Sequence, residues 1–219
     1  LVSPDQFDLE QENNMTQTTK SPWRRFTAQL LSGLGLLALS LSIGAQAAVE
    51  IKGARFDETY QLGNQALALN GAGIRVKVIV DVYAAGLYVP QKGKDAGSLL
   101  GQGGPKALQI VLLRDLTGED FADAMAKGFS KNNSSADQAR FQPKIDEIRS
   151  VMLGLGKVKK GSVIHIDFTP GAGTGVTING TRQGPVISGD EFFTALLRIW
   201  LGNSPVDSDL KEALLGAAH

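Results

Sequence analysis

The chain has 219 residues, 42% of them hydrophobic and 20% charged, the make-up of a globular protein long enough to bury a single core. Lysine and arginine number 22 against 22 aspartates and glutamates, so no net field draws the whole molecule to nucleic acid or an anionic membrane. Cysteine is absent and His165 and His219 are the only histidines, which excludes disulfides, thiolate nucleophiles, cysteine zinc sites and histidine-rich metal centres.

Residues 1–22 are polar and show no apolar periodicity. From Met15, which fits a translation start, Lys20, Arg24 and Arg25 make a basic region and residues 30–43 an apolar stretch rich in leucine. Ala45-Gln46-Ala47 then supplies the small-x-small pattern that a signal peptidase accepts. The expectation is an extension and secretory signal peptide over 1–47, cleaved after Ala47, and one domain over 48–219. Its destination is the periplasm, with no stable membrane span left after cleavage. The alternative is an uncleaved anchor, because residues 26–48 approach the ~20 needed to cross a bilayer.

In the domain, residues 49–56 and 66–69 read as short strands. Residues 73–89 read as one long strand, with Ile74, Val76, Val78, Val80 and Val82 on one face and Arg75, Lys77, Ile79, Asp81 and Tyr83 on the other. Gly86 is expected to mark a bend or bulge. Residues 91–104 read as a mobile Gly and Lys loop. Residues 106–114 read as a strand apolar on both faces, as a covered central strand would be.

A helix is expected after Thr117, a good N-cap, with Glu119 and Asp120 in its first turn and Phe121, Ala122, Met125 and Phe129 at helical spacing. Residues 130–160 read as helical with breaks at Asn132–Ser135 and at Pro143, which suits a helix interior poorly. Residues 157–180 return to strands, with Asn179-Gly180 as a tight hairpin turn. Ser188 with Glu191 predicts a capping box for a helix through Leu201, with Gly202 as its left-handed stop. Residues 207–216 predict a last helix ended by Gly216. Strands, helices, strands and helices in that order predict an α+β layer arrangement.

Three motifs reduce to ordinary structure. Residues 171–175 (GAGTG) join two strands and open no helix, so they read as a turn rather than a dinucleotide loop. Residues 156–162 (GKVKKGS) read as a solvated turn. His165 and Asp167 share a strand face, but without a third ligand or a placed nucleophile that face reads as exposed. Arg75 stands out, because a guanidinium fork can hold a carboxylate in two parallel hydrogen bonds. The competing reading pairs it with a neighbour such as Asp81.

The segments GAGIR, YAAGLYV, LLRDLTGEDFADA and VTING, and the closing LLRIWLGNSPVDSDLKEALLG, resemble the chalcone isomerase superfamily, in particular its bacterial, signal-bearing branch. The resemblance runs from about Phe56 to Gly216. It implies an open-faced β-sandwich, a large antiparallel sheet covered by a helical layer with an apolar cleft between them, and it implies no cofactor. In the true isomerases an arginine, a threonine, a tyrosine, an asparagine and a further hydroxyl assist an intramolecular ring closure. By motif those positions fall at Arg75, Tyr83, Phe121, Gly128 and Ile199. Phe121, Gly128 and Ile199 offer no side-chain donor, so little of the electrostatic stabilisation that drives such catalysis would remain.

Fatty-acid-binding members of the superfamily resemble this chain in placing tyrosine where the isomerases have the sheet threonine. The expected function is therefore non-catalytic binding of a fatty acid or similar amphipathic carboxylate by Arg75, Tyr83, Phe121, Met125 and Ile199. Two alternatives stand beside it: an isomerase (intramolecular lyase) acting on a chalcone-like enone, and an envelope scaffold that docks partners through an exposed 199–206 region.

Overall fold

The computed structural model describes residues 48–217. The expected signal peptide and its cleavage site after Ala47 lie outside the described residues. In chain order the strands are β1 (Ala48–Ile51), β2 (Ala54–Asp57), β3 (Thr59–Leu62), β4 (Gln65–Lys77), β5 (Val80–Val89), β6 (Lys106–Leu112), β7 (Leu116–Thr117), β8 (Lys157–Val158), β9 (Val163–Thr169), β10 (Gly173–Ile178) and β11 (Thr181–Ile187). The helices are α1 (Ala96–Gly101), α2 (Gly118–Asn132), α3 (Ser135–Gly154), α4 (Asp190–Leu201) and α5 (Ser208–Leu214).

Seven strands form one antiparallel sheet in the order β11-β10-β9-β6-β5-β4-β3. The helices pack on one face, where Phe129, Phe141, Phe192, Phe193 and Leu196 meet Leu87, Leu108, Ile110 and Ile166 of the sheet. The β1–β2 hairpin covers part of the other face, with Phe56 among Leu67, Leu69, Ala84 and Tyr88. This is the expected α+β sandwich. All seven residues of the central β6 are buried, because helices cover one of its faces and the hairpin the other.

The expected strand over 73–89 is instead two strands. β4 runs on through Asn70-Gly71, and the chain reverses at Val78-Ile79, where no glycine or asparagine marks the turn. Gly71 and Gly73 do not break β4, because their lack of a side chain lets α5 lie directly on it. A β-carbon on Gly73 would fall 2.5 Å from that of Ala213. Gly86 sits in regular pairing rather than at a bend, and a β-carbon there would fall 2.6 Å from the Phe56 ring. The bulges lie between Leu69 and Gly71 and between Arg75 and Val76.

The expected loop over 91–104 contains α1, capped by Asp95 and anchored by the buried Leu99. Thr117 caps α2 in a reciprocal box with Asp120. Pro143 lies inside α3 and does not end it. It faces solvent, where water can take the carbonyl that its missing N–H leaves unbonded, while Phe141, Ile145 and Ile148 hold the inner face in the core.

Ser188 does not cap α4; Gly189 takes that position at φ 100° with no side-chain bond. Gly202 ends α4 in an extended rather than left-handed conformation, and a β-carbon there would crowd Asn132 Oδ1 at 2.3 Å. Asp207 caps α5, and Gly216 follows it at φ 82°.

Candidate functional site

The β4–β5 pairing sets Arg75 opposite Tyr83. Both turn to the helical face, and the bulge after Arg75 lets the strand aim that side chain apart from the residues beyond it. The Arg75 guanidinium carbon lies 5.4 Å from the centre of the Tyr83 ring. Asp81 does not compete for it, because Lys52 holds the Asp81 carboxylate at 2.7 Å. Arg75 Nε is buried with no hydrogen-bond partner. An unmet buried donor of this kind costs about 1–3 kcal/mol, a cost that an anionic ligand would remove.

Tyr83 is buried, and Trp200 Nε1 donates to its hydroxyl at 2.9 Å. The indole occupies the oxygen as an acceptor, leaving the phenolic proton free to donate elsewhere. Burial raises the Tyr83 pKa, against the opposing pulls of Arg75 and the Trp200 hydrogen bond. The group therefore stays a neutral donor.

These residues line a cavity of about 70 Å³ between sheet and helices. Arg75, Tyr83, Gln183 and Trp200 bring side-chain polar atoms to it; the other walls are apolar. Ile110, Ile164 and Ile166 come from the sheet, Phe121 and Met125 from α2, Ile148, Met152 and Leu155 from α3 and its end, and Leu196 and Ile199 from α4. A volume of this size admits a few waters. An alkyl chain of any length fits only if flexible side chains such as Met125 and Met152 swing aside, a change that unbranched thioethers make readily.

All five residues singled out from the sequence, Arg75, Tyr83, Phe121, Met125 and Ile199, lie on this cavity. Gly128 does not; it packs behind Ile199 and Val206. Sequence reasoning missed Trp200, Gln183 and the α3 wall. For Trp200 a signal existed: a tryptophan in the body of an amphipathic helix buries its ring and then needs an acceptor for its N–H. Of the region 199–206 expected to be exposed, Ile199, Trp200 and Leu201 are buried in the core, and only Asn203 and Ser204 are fully exposed.

His165 and Asp167 share the outer face of the sheet, but that face is covered rather than exposed. The sheet curls until Tyr60 on β3 stacks on the His165 ring, 4.9 Å between centres, and donates to Asp167 Oδ2 at 3.1 Å. Burial pushes the Asp167 carboxyl up to about 6, and its Oδ1 has no partner.

Fold and cavity together define an open-faced α+β sandwich with a cation at one end of an apolar pocket. The sequence profile of the family described as chalcone isomerase-like matches residues 48–216, and the chain belongs to that family. Among solved structures it is similar to a fatty-acid binding protein of Arabidopsis thaliana, at 18% identity and a TM-score of 0.60, over 77% of this chain and 96% of the other. No curated protein sequence shows a match to it.

Proposed function

We propose that this protein is an exported, non-catalytic carrier of a fatty acid or similar amphipathic carboxylate. The observation that carries the reading is the buried, unpartnered Nε of Arg75 in a cavity whose walls are mostly apolar, with the free proton of Tyr83 beside it. A carboxylate accepts from both groups, and the ligand's hydrocarbon body replaces water along the isoleucine and methionine walls. The structural likeness to a protein named for fatty-acid binding supports the same reading. Of the side chains at the isomerase positions, Phe121, Gly128 and Ile199 supply no donor, so the pocket offers a developing oxyanion little beyond Arg75 and Tyr83.

Export is supported by the basic, apolar and small-x-small order of residues 20–47. The family match beginning at residue 48 fits cleavage after Ala47.

The test is binding of a long-chain fatty acid to delipidated protein, with the alcohol of equal chain length as control. The acid should bind at least about tenfold tighter than the alcohol, and Arg75→Ala should erase that preference, as expected for loss of a charge-assisted pair. Equal binding of acid and alcohol by the native chain would reject the clamp. Cell fractionation tests the periplasmic destination separately.

A further inference from the structure

The turn between β4 and β5 departs from the chemistry of the other tight turns. Lys77 pairs with Val80, leaving Val78 and Ile79 as a two-residue tip. The β1–β2 tip is Lys52-Gly53 at φ 51° and 78°, and the β10–β11 tip is Asn179-Gly180 at 49° and 78°. Glycine adopts such angles without strain and asparagine with little. Val78 takes φ 63°, where a β-branched residue is a steric outlier.

The same two residues are the most exposed large apolar side chains among the described residues, Val78 at 92% and Ile79 at 89%, with Val76 and Val80 also exposed behind them. Neither the turn geometry nor the core gains from valine and isoleucine here.

Basic side chains surround the tip. Lys77 adjoins it, and Lys77 and Arg114 both lie close enough to Asp120 to act on its carboxylate. Lys160 sits on the β8–β9 loop, which is tied to the end of β6 by Gly161 N to Leu112 O and Leu112 N to Ser162 O. Leu112 pairs with Tyr83, so this loop and the tip share one end of the sheet. The acids at that end are engaged: Asp81 by Lys52, Asp115 by Lys157 and Lys159, Asp120 by the Thr117 cap, and Asp207 by the Val76 and Leu210 N–H groups. Glu119 lies in the positive first turn of α2.

We propose that the β4–β5 tip docks on an anionic lipid bilayer. Val78 and Ile79 enter the headgroup layer, and Lys77, Arg114 and Lys160 meet lipid phosphates. A convex two-residue tip buries too little surface for a stable contact with a second copy, whereas headgroups close around it on all sides. The chain's zero net charge is an average, and the local cations supply the attraction. Val78 lies three residues beyond Arg75, roughly 10 Å along the strand. Docking therefore brings the guanidinium end of the cavity near the level at which a membrane fatty acid holds its carboxylate. That last step rests on the carrier reading; the docking itself does not.

Because the chain has no cysteine, Val80→Cys carries a single environment-sensitive fluorophore beside the tip, and Val186→Cys on β11 carries the control. With the full chain and vesicles of mixed phosphatidylglycerol and phosphatidylcholine, the probe at 80 should shift to the blue, less so at high salt, while the probe at 186 should not. In a Val78→Asn/Ile79→Gly background the hairpin keeps a favoured turn sequence. There the vesicle concentration giving half the shift should rise about tenfold or more, as expected for two lost apolar anchors. No response at 80, or an equal response with the Asn-Gly tip, would overturn the proposal. A blue shift that grows with protein concentration in the absence of lipid would overturn it in favour of self-association. Arg75→Ala should abolish the fatty-acid preference and leave the shift intact, so failure of one reading is distinguishable from failure of the other.

Discussion

Gly128 on α2 and Ile199 on α4 meet with no space for a side chain between them: a β-carbon at 128 would lie 2.8 Å from Ile199 Cγ2 and 3.4 Å from Val206 Cγ1. Two positions that carry polar groups in the isomerases are thus filled here by one branched side chain leaning into the gap of a glycine. The branched side chain of Ile199 is stiff at χ1 and cannot swing clear. Gly128→Asn should therefore destabilise the protein by about 2 kcal/mol, despite the gain in helix propensity over glycine. Adding Ile199→Thr should cost less in the Gly128→Asn protein than alone, by about 1 kcal/mol of coupling. Urea denaturation of the four proteins measures this, and strict additivity would show that the two residues do not share the space.

The Tyr60–Asp167 pair on the outer face predicts a pH dependence. Burial holds the Asp167 carboxyl at about 6 in the folded chain against an ordinary 3.8, so the folded state binds this proton more tightly than the unfolded state. The group costs nothing below 3.8; its cost grows as pH rises and is complete above about 6. Asp167→Asn keeps an acceptor for the Tyr60 hydroxyl and removes the charge. It should raise stability at pH 7.5 by on the order of 1 kcal/mol, reduced by the solvent that still reaches the site. The difference should vanish by pH 3.5, as thermal melts across that range would show. An advantage that is the same at both pH values would mean that the charge is not its source.

Pro143 interrupts the hydrogen bonding of α3 on its solvent side without ending the helix. Alanine there restores the bond to the carbonyl of Ala139 and relieves the ring's clash with the preceding turn. Part of the gain is returned, since proline also restricts the unfolded chain. Pro143→Ala should raise stability by about 1–2 kcal/mol and leave ligand affinity unchanged. Equal melting temperatures for the two proteins would mean that the local helix has already absorbed the defect.

Where propensity and packing agree, the fold was legible in the sequence: the doubly covered strand β6, the Thr117 cap, the Asn179-Gly180 turn and the close of α5 all form as read. The reading failed where a residue serves a distant neighbour. Gly86 looked like a bend and is the place where Phe56 approaches the sheet, and the strand read as ending at Leu69 runs on through Gly71, where α5 approaches it. The Val78-Ile79 reversal looked like strand because its turn residues are poor ones, which hid the hairpin that sets Arg75 against Tyr83. Pro143 looked like a stop because its solvent-facing position is not visible locally. The cavity residues emerged through Arg75 and the family motifs, whereas the α3 wall depends on helix placement, which no local pattern encodes.

Trp200 and Tyr83 provide the last prediction. The indole donates to a buried phenol oxygen, so Trp200→Phe keeps an aromatic ring but removes that hydrogen bond and leaves the oxygen only the neighbouring Arg75 guanidinium. The expected loss is about 1–2 kcal/mol of stability. Tyr83→Phe should cost clearly less in the Trp200→Phe protein than in the native one, because the hydroxyl then has less to lose. Ligand binding separates the partners further. Tyr83→Phe removes the proton offered to a carboxylate and should weaken acid binding about threefold to tenfold, whereas Trp200→Phe leaves that proton in place and should weaken it less. Equal losses of affinity in the two variants would mean that the hydroxyl acts only as part of the wall and that Arg75 holds the carboxylate alone.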